Sequence, residues 1–339
     1  MVLASLGSMD ANPEPLRLAE VPKPVPAAGE VLVKVSTCGV CHTELDEIEG
    51  RTPPPRLPVI PGHQAVGRIA ALGAGAGRWR PGDRVGVGWI HSACGKCRFC
   101  LAGNENLCPD FRATGRDANG GYAEYLAVPA AFAFPIPEAF SDTEAAPLLC
   151  AGAIGYRSLR LARIAGAGPL GLTGFGASAH LVLKVARHLH RSLKVFVFAR
   201  SERERQFARD LGADWVGDTG DAPPEQMMSV IDTTPVWKPV VEALRHLEPG
   251  GRLVVNAIRK EAGDKQELLA LDYASHLWLE KELKSVANVT RRDIADFLEL
   301  AAAIPIKPEV EEFELAGANR ALLELKQRKV RGAKVLRIG

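Results

Sequence analysis

The sequence predicts an α/β protein built from a β-rich domain and a doubly wound parallel sheet, and three observations carry that prediction. Residues 16–130 read as short strands broken by proline and glycine turns. After Cys150 strands and helices alternate, the pattern of a parallel sheet. The chain's 339 residues also exceed what a single hydrophobic core usually serves, so two domains are expected.

Taken in order, Glu30-Val-Leu-Val-Lys-Val35 follows a Gly29 turn and alternates as a half-buried strand does. Val66 to Leu72 is a second strand, set between the turns at Pro61-Gly62-His63 and Pro81-Gly82-Asp83. Together these suggest a small barrel reaching to about Ala130. Beyond Cys150, Leu170 to Thr173 is a buried strand, and Leu181, Val185 and Leu189 mark the apolar face of a helix from His180 to His190. Lys194 to Phe198 is the next strand. Ser201 to Glu204 has the form of a capping box opening a helix that should bury Phe207 and Leu211. Strands at Ser229–Asp232 and Arg252–Val255 flank a helix at Val240–Leu247. The last fifty residues give a helix from Arg291 to Ala302, a strand at Val310–Glu314, a helix at Ala318–Lys326 and a strand near Lys334–Ile338, and are expected to rejoin the first domain.

Composition narrows the function. With 47% apolar and 24% charged residues the chain is an ordinary globular protein rather than a disordered or fibrous one. A net charge of +2, with no basic tract interleaved with aromatics, gives no reason to expect nucleic-acid binding. No run approaches the roughly eighteen apolar residues of a membrane span, and the start of the chain lacks a secretory pattern. A cytoplasmic protein is expected.

Four of the seven cysteines, Cys94, Cys97, Cys100 and Cys108, fall within fifteen positions. Four thiolates at that spacing suit one tetrahedral zinc ion in a closed structural site. An iron–sulfur cluster is the main rival, since Cys108 precedes Pro109, but ferredoxin spacing would place the last cysteine after three residues and not seven. Disulfides are the remaining reading, and a chain this long does not need them.

A literal G-x-G-x-x-G occurs at Gly166 to Gly171, but it precedes a strand and carries Pro169, which removes an N–H where phosphate would need one. The cluster at Gly73, Gly75 and Gly77 is followed by no helix and reads as a connecting loop. Gly174-Phe-Gly176-Ala177-Ser178-Ala179 has the right context, between a strand and a helix, with alanine in the accepted third position. The helix N-terminus there is suited to a dinucleotide's pyrophosphate.

Three further candidate ligands, Cys41, His63 and Cys150, lie far apart, and spacing cannot unite them. Each has an ordinary reading as a core cysteine or a satisfied polar group. A C-x-x-C pair, Cys38 and Cys41, lacks the βαβ setting of a redox dithiol.

Gly39-Val-Cys41-His-Thr43, Pro61-Gly-His63, Gly82-Asp-Arg-Val85, the cysteine lobe, Cys150 and the Gly174–Ala179 turn occur in an order that resembles the zinc-containing medium-chain dehydrogenase/reductase family, bacterial alcohol dehydrogenase type, over essentially the whole chain. The resemblance implies a GroES-like catalytic domain over 1–150 with a structural zinc lobe at 91–110, a Rossmann domain over 151–288, and a return to the catalytic domain over 289–339. It makes Cys41, His63 and Cys150 the ligands of a catalytic zinc, so that two zinc ions per subunit are expected. It gives Thr43 the hydroxyl that bonds the substrate oxygen, His42 a place near the pyrophosphate and Trp89 a place along the substrate pocket. Three positions depart from the family: Gln64 replaces the usual Glu, Asp46 the histidine of the proton relay, and Ile154 a threonine that touches the nicotinamide.

The implied reaction is hydride transfer between a small alcohol or aldehyde and a nicotinamide cofactor, in a homo-oligomer, dimer or tetramer. A polyol-type dehydrogenase is the alternative within enzymes, and a non-catalytic zinc- and nucleotide-binding redox sensor the alternative outside them. NADP(H) is expected over NAD(H). Where NAD enzymes carry an acid roughly 20 residues beyond the glycine turn, this chain has Ala199, followed by Arg200 and Ser201. A guanidinium and a hydroxyl suit a 2′-phosphate, although Arg200 can also be a solvated charge and Ser201 a helix cap.

Overall fold

The computed structural model describes residues 1–164, 168–176, 178–304, 306–327 and 332–339. Contacts divide the chain into unit 1, Met1–Ala153 with Val289–Gly339, and unit 2, Ile154–Asn288. Unit 1 begins with β1 (Val2–Leu3) paired to β2 (Leu16–Arg17), then β3 (Glu30–Val40), which turns at Cys41 into α1 (His42–Ile48). There follow β4 (Ala65–Leu72), β5 (Arg84–Val87), β6 (Ile90–Ser92), the one-turn α2 (Arg98–Leu101), β7 (Arg112–Ala113), β8 (Tyr125–Pro129), β9 (Ala133–Pro135) and α3 (Asp142–Pro147). A five-residue π-helical segment, Leu148–Gly152, carries Cys150.

The eleven residues of β3 organise unit 1. This strand pairs antiparallel with β4 and with β8. Its register with β4 shifts twice, between Leu32 and Val33 and between Val35 and Thr37, and such bulges bend a strand and increase its twist. One face is buried through Val31, Val33 and Val35.

Unit 2 starts in α4 (Ala153–Ala162) and runs β10 (Leu170–Thr173), α5 (Ala179–Leu189), β11 (Val195–Phe198), α6 (Glu202–Asp210), β12 (Trp215–Gly217), β13 (Met227–Asp232), α7 (Lys238–Arg245), β14 (Leu247–Val255) and β15 (Glu282–Ser285). All five pairings are parallel, in the order β12-β11-β10-β13-β14-β15. Both β10, Leu-Gly-Leu-Thr, and β11, Val-Phe-Val-Phe, are buried at every position, as expected of strands covered on both faces. Phe196, Phe198, Val230, Leu244 and Leu253 belong to one core cluster.

Three expectations of burial fail here, at Leu189, at Phe207 and at Leu211, which follows α6 as its C-cap residue and is only half-buried. Leu181 and Val185 of α5 are covered, but Leu189 is 44% exposed. Strict four-residue spacing drifts by about 40° per step around a 3.6-residue helix, so the third residue has rotated off the buried face. Phe207 is 40% exposed, and Ala208 is the buried residue of α6. The Phe207 ring lies 5.6 Å from that of Phe175, within the glycine turn, and 5.8 Å from His180, so its partners are the turn and the following helix.

The chain returns to unit 1 through α8 (Arg291–Ala303), β16 (Val310–Glu314), α9 (Ala318–Lys326) and β17 (Ala333–Arg337). β17 pairs with β3, placing Lys334 opposite Val40 and Leu336 opposite Cys38. Thr290 caps α8 in a reciprocal box with Asp293.

A charge network ties α9 to the loop after α1. Glu49 accepts from Met9 N at 2.9 Å and from Lys326 Nζ at 2.7 Å, and pairs with Arg51. Burial opposes its charge, but these donors hold its carboxyl down to about 2. The native state therefore binds the Glu49 proton less readily than the unfolded chain, and the pair stabilises the fold fully above the ordinary glutamate pKa, about 4.3. That contribution, at most about 3 kcal/mol, disappears as pH falls toward about 2. Glu49→Gln is expected to lower the melting temperature at neutral pH and to flatten its acid dependence below about pH 5. Parallel melting curves whose separation does not change with pH would exclude this role.

Candidate metal and nucleotide sites

Both candidate metal clusters lie in unit 1. Sequence positions 41, 63 and 150 meet because α1 starts immediately after β3, the loop before β4 carries His63, and the π-helical segment presents Cys150. Their three ligand atoms lie within 4.8 Å of one another. Cys41 Sγ is 3.9 Å from Cys150 Sγ, and His63 Nε2 is 3.3 Å from Cys150 Sγ. A tetrahedral zinc ion, with bonds of about 2.3 Å to sulfur and about 2.0 Å to nitrogen, would space such ligands by roughly 3.5–3.8 Å. The donor set therefore fits one zinc with three protein ligands.

The electrostatics point the same way. Hydrogen bonding with Cys150 leads the effects that hold the Cys41 thiol well below its ordinary range, while the same bond and burial push Cys150 well above it. Two thiolates this close, both half-buried, require a cation to ionise together.

Glu44 is the residue that sequence reasoning missed. One carboxylate oxygen accepts from Cys41 N at 2.8 Å, and the other lies 2.5 Å from His63 Nδ1. Its side chain is fully buried. A carboxylate on Nδ1 fixes the tautomer and leaves Nε2 free as a ligand. The available signal was its place three residues after Cys41 at a helix start, a capping-box position whose glutamate reaches back to the backbone.

Thr43 is buried, with Oγ1 3.6 Å from Cys41 Sγ. Trp89 is buried with its ring edge-on to His63, centroids 5.1 Å apart. His42 is exposed at the first position of α1. Gln64 is buried and packs on Gly39, where a Cβ would come within 2.6 Å of its Oε1. Asp46 is buried, and Arg51 Nε donates to its Oδ1 at 2.5 Å.

The four sulfurs of Cys94, Cys97, Cys100 and Cys108 also lie within 4.8 Å of one another, with 3.9 Å between Cys94 and Cys100 and 3.6 Å between Cys97 and Cys100. These separations exceed a disulfide bond of about 2.05 Å and match a single tetrahedral ion. N–H groups of Lys96 and Cys97 lower the Cys94 thiol to about 6, while desolvation and the neighbouring sulfurs raise Cys100 to about 12. The lobe is anchored to α8, where buried Glu105 accepts from Arg291 N at 2.9 Å and Arg291 Nε at 3.0 Å.

In unit 2, the glycine turn leaves β10 as Gly174, at φ +75°, and enters α5 at Ala179 with Ser178 as its cap residue. Gly176 needs neither a positive φ nor a tight contact, since among the described residues a Cβ there would meet nothing within 4 Å. A glycine required by neither backbone nor packing fits a turn that something else must approach closely. Ala179 is fully buried between helix and strand, while Ala177 lies outside the described residues. Ser178 Oγ is 3.5 Å from Asn256 Nδ2. Ala199 is buried at the end of β11, and Arg200 is exposed with no side-chain partner among the described residues. Ser201 caps α6, accepting from Glu204 N at 3.2 Å and donating to Glu204 Oε2 at 2.9 Å, which commits its one O–H.

Residues 27–138 match the alcohol dehydrogenase GroES-like domain. The chain is 43% identical to a probable alcohol dehydrogenase, AdhA, of Mycobacterium tuberculosis, over 98% of this chain and 95% of that one. It is 34% identical to an alcohol dehydrogenase of Geobacillus stearothermophilus, covering 95% and 96% of the two chains. Among solved structures, a cobalt- and zinc-bound thermostable alcohol dehydrogenase of Pyrobaculum aerophilum superposes with a TM-score of 0.83 at 25% identity, covering 99% of each chain. The acetophenone reductase of Geotrichum candidum, in complex with NAD, gives 0.83 at 26% identity over 99% and 96%.

Glu44→Gln keeps the side-chain volume but removes the charge facing His63 Nδ1. Zinc bound through Cys41, His63 and Cys150 is expected to weaken by about 10- to 100-fold, measured by competition with a chromogenic chelator, while the Cys94 lobe keeps its metal. Unchanged affinity at both sites would show that Glu44 does not orient the histidine.

Proposed function

We infer the activity from a premise that the relatives establish: the chain belongs to the zinc-containing medium-chain dehydrogenase/reductase family and is an NAD(P)-dependent alcohol dehydrogenase. We propose that it is zinc-dependent, interconverts a small alcohol with its aldehyde or ketone, and prefers NADP(H). The observation that carries the zinc dependence is the convergence of two sulfurs and one imidazole nitrogen, a set one ligand short of a tetrahedral ion.

Cys41, His63 and Cys150 would hold the catalytic zinc, and the four-cysteine lobe a structural one. Bound zinc supplies Lewis acidity that lowers the pKa of an alcohol oxygen. The chain's residues do the rest. Glu44 holds Nδ1 of His63 so that Nε2 serves as ligand. The Thr43 hydroxyl, beside Cys41, accepts the substrate's proton and passes it outward. Trp89 packs edge-on to His63 and bounds the substrate's space. Asp46 stands where relatives carry a relay histidine. Its carboxylate is taken up by Arg51, so it acts as an anchor for α1, and the proton leaves from Thr43 to solvent.

A homo-oligomer is proposed from the edge of the unit 2 sheet. Every residue of β15 is exposed, including Leu283 at 48%, and in the segment that precedes it Leu269, Tyr273 and Trp278 are 88%, 64% and 55% exposed. A paired or covered edge is the usual fate of such a strand.

Metal analysis and light scattering on one purified sample should return two zinc ions per 36.4 kDa chain and a mass that is a multiple of it. Cys41→Ser should stay folded and lose turnover, whereas Cys97→Ser should first lose stability, because closed sites contribute folding free energy. One zinc per chain, or the same folded and inactive protein from both variants, would remove the division into catalytic and structural metals.

NADP preference rests on the uncharged Ala199 and on Arg200, whose guanidinium is unengaged among the described residues. A charge-assisted hydrogen bond of roughly 1.5–3 kcal/mol gives about 10- to 150-fold selectivity. Arg200→Ala is expected to reduce kcat/KM for NADPH by at least about tenfold and barely to change that for NADH. A wild-type enzyme favouring NADH, or equal losses with both cofactors, would refute the assignment.

A further inference from the structure

A buried charge pair that hydride transfer does not use lies at the carboxyl ends of β10 and β13 in unit 2. These neighbouring strands flank the point where the strand order reverses, and open parallel sheets bind nucleotides outside the carboxyl ends at that point. Asp232 ends β13 and is fully buried. Its Oδ1 accepts from Thr173 Oγ1 at 2.6 Å and from Thr234 Oγ1 at 2.7 Å, and its Oδ2 pairs with the Lys260 ammonium. Lys260 is itself only 7% exposed, and it also donates to the carbonyls of Thr234 at 2.8 Å and Val236 at 2.9 Å. An ammonium has three donors, and all are consumed within the protein. The pair is therefore not a ligand group.

The glycine turn depends on it. Thr173 is the residue before Gly174, and its carbonyl accepts from both the N–H and the Oγ1 of Thr233, each at 3.0 Å. A Cβ on Gly174 would come within 2.9 Å of Thr233 Oγ1 and of Thr234 Cγ2. The segment whose carbonyls Lys260 grips is thus the wall against which the turn is seated. An apolar pair of similar volume can stabilise a fold as well as a buried ion pair does. Only directed donors and acceptors can hold particular carbonyls and a particular hydroxyl in place.

We propose that Lys260 and Asp232 are positioning residues that keep the Gly174 turn preformed for the cofactor's pyrophosphate. This rests on the reading of that turn as the cofactor site. The pyrophosphate is common to NADH and NADPH, so both should respond equally, unlike the selective loss expected of Arg200→Ala.

The zinc-loaded enzyme is compared with Lys260→Met and with Asp232→Asn/Lys260→Met. The double variant removes both charges while leaving an acceptor for the threonine hydroxyls, and it serves if the single variant, with its unpaired buried carboxylate, does not fold. Both variants should raise KM and Kd for NADH and NADPH alike by at least about tenfold, with kcat within about twofold and KM for the alcohol unchanged. The double variant should do so even if its melting temperature returns to that of the wild type. Cofactor KM at the wild-type value, or a fall in kcat with KM unmoved, would show that the pair only stabilises the fold and would overturn the proposal. A wild-type protein that holds its zinc but binds neither cofactor would instead overturn the reading of the turn.

Discussion

Half-buried sulfur crowded around a point has to be neutralised, and much of unit 1 is arranged around that constraint. Two sulfurs 3.9 Å apart and an imidazole beside them form a set that is unfavourable when ionised and favourable around a divalent cation. Glu44 connects this set to the backbone by taking the Cys41 N–H with one oxygen and facing His63 with the other. The position of α1 follows from that double contact and from the Glu49, Arg51 and Lys326 network behind it. The four-cysteine lobe meets the same constraint at the surface, where backbone N–H groups supply the first increment of stabilisation to Cys94.

Under the proposed cofactor role, unit 2 answers a different demand, a turn that can admit a phosphate on one side and is fixed on the other. Openness comes from Gly176, where a Cβ would meet no atom of the described residues within 4 Å, and fixity from Thr233, Thr234 and the buried pair beside them. Phe207 contributes from outside by packing edge-on against Phe175. Its exposure, contrary to its apolar character, follows from that partner: the ring covers the turn and not the sheet.

The family's departures also become physical statements. Asp46 is committed to Arg51, whose guanidinium takes up its buried carboxylate in the last turn of α1. Gln64 fills the space over Gly39 as a buried neutral amide, and the buried negative charge beside His63 is that of Glu44.

Much was legible in the sequence by itself, for a reason that differs by element. Strands β10 and β11 and helices α8 and α9 appear where periodicity and caps place them, because local pattern is dictated by which face is buried. The clustering of the Cys94 lobe was legible because its four cysteines are close in the chain, and spacing alone limits what they can surround. Tertiary structure decided the rest. Cys41, His63 and Cys150 become one site only when β3, the loop before β4 and the segment after α3 converge, and no local rule encodes that meeting. Glu44 as the partner of His63, Arg51 as the partner of Asp46 and Lys260 as the partner of Asp232 were likewise invisible, since the worth of a buried charge depends on what folding places opposite it.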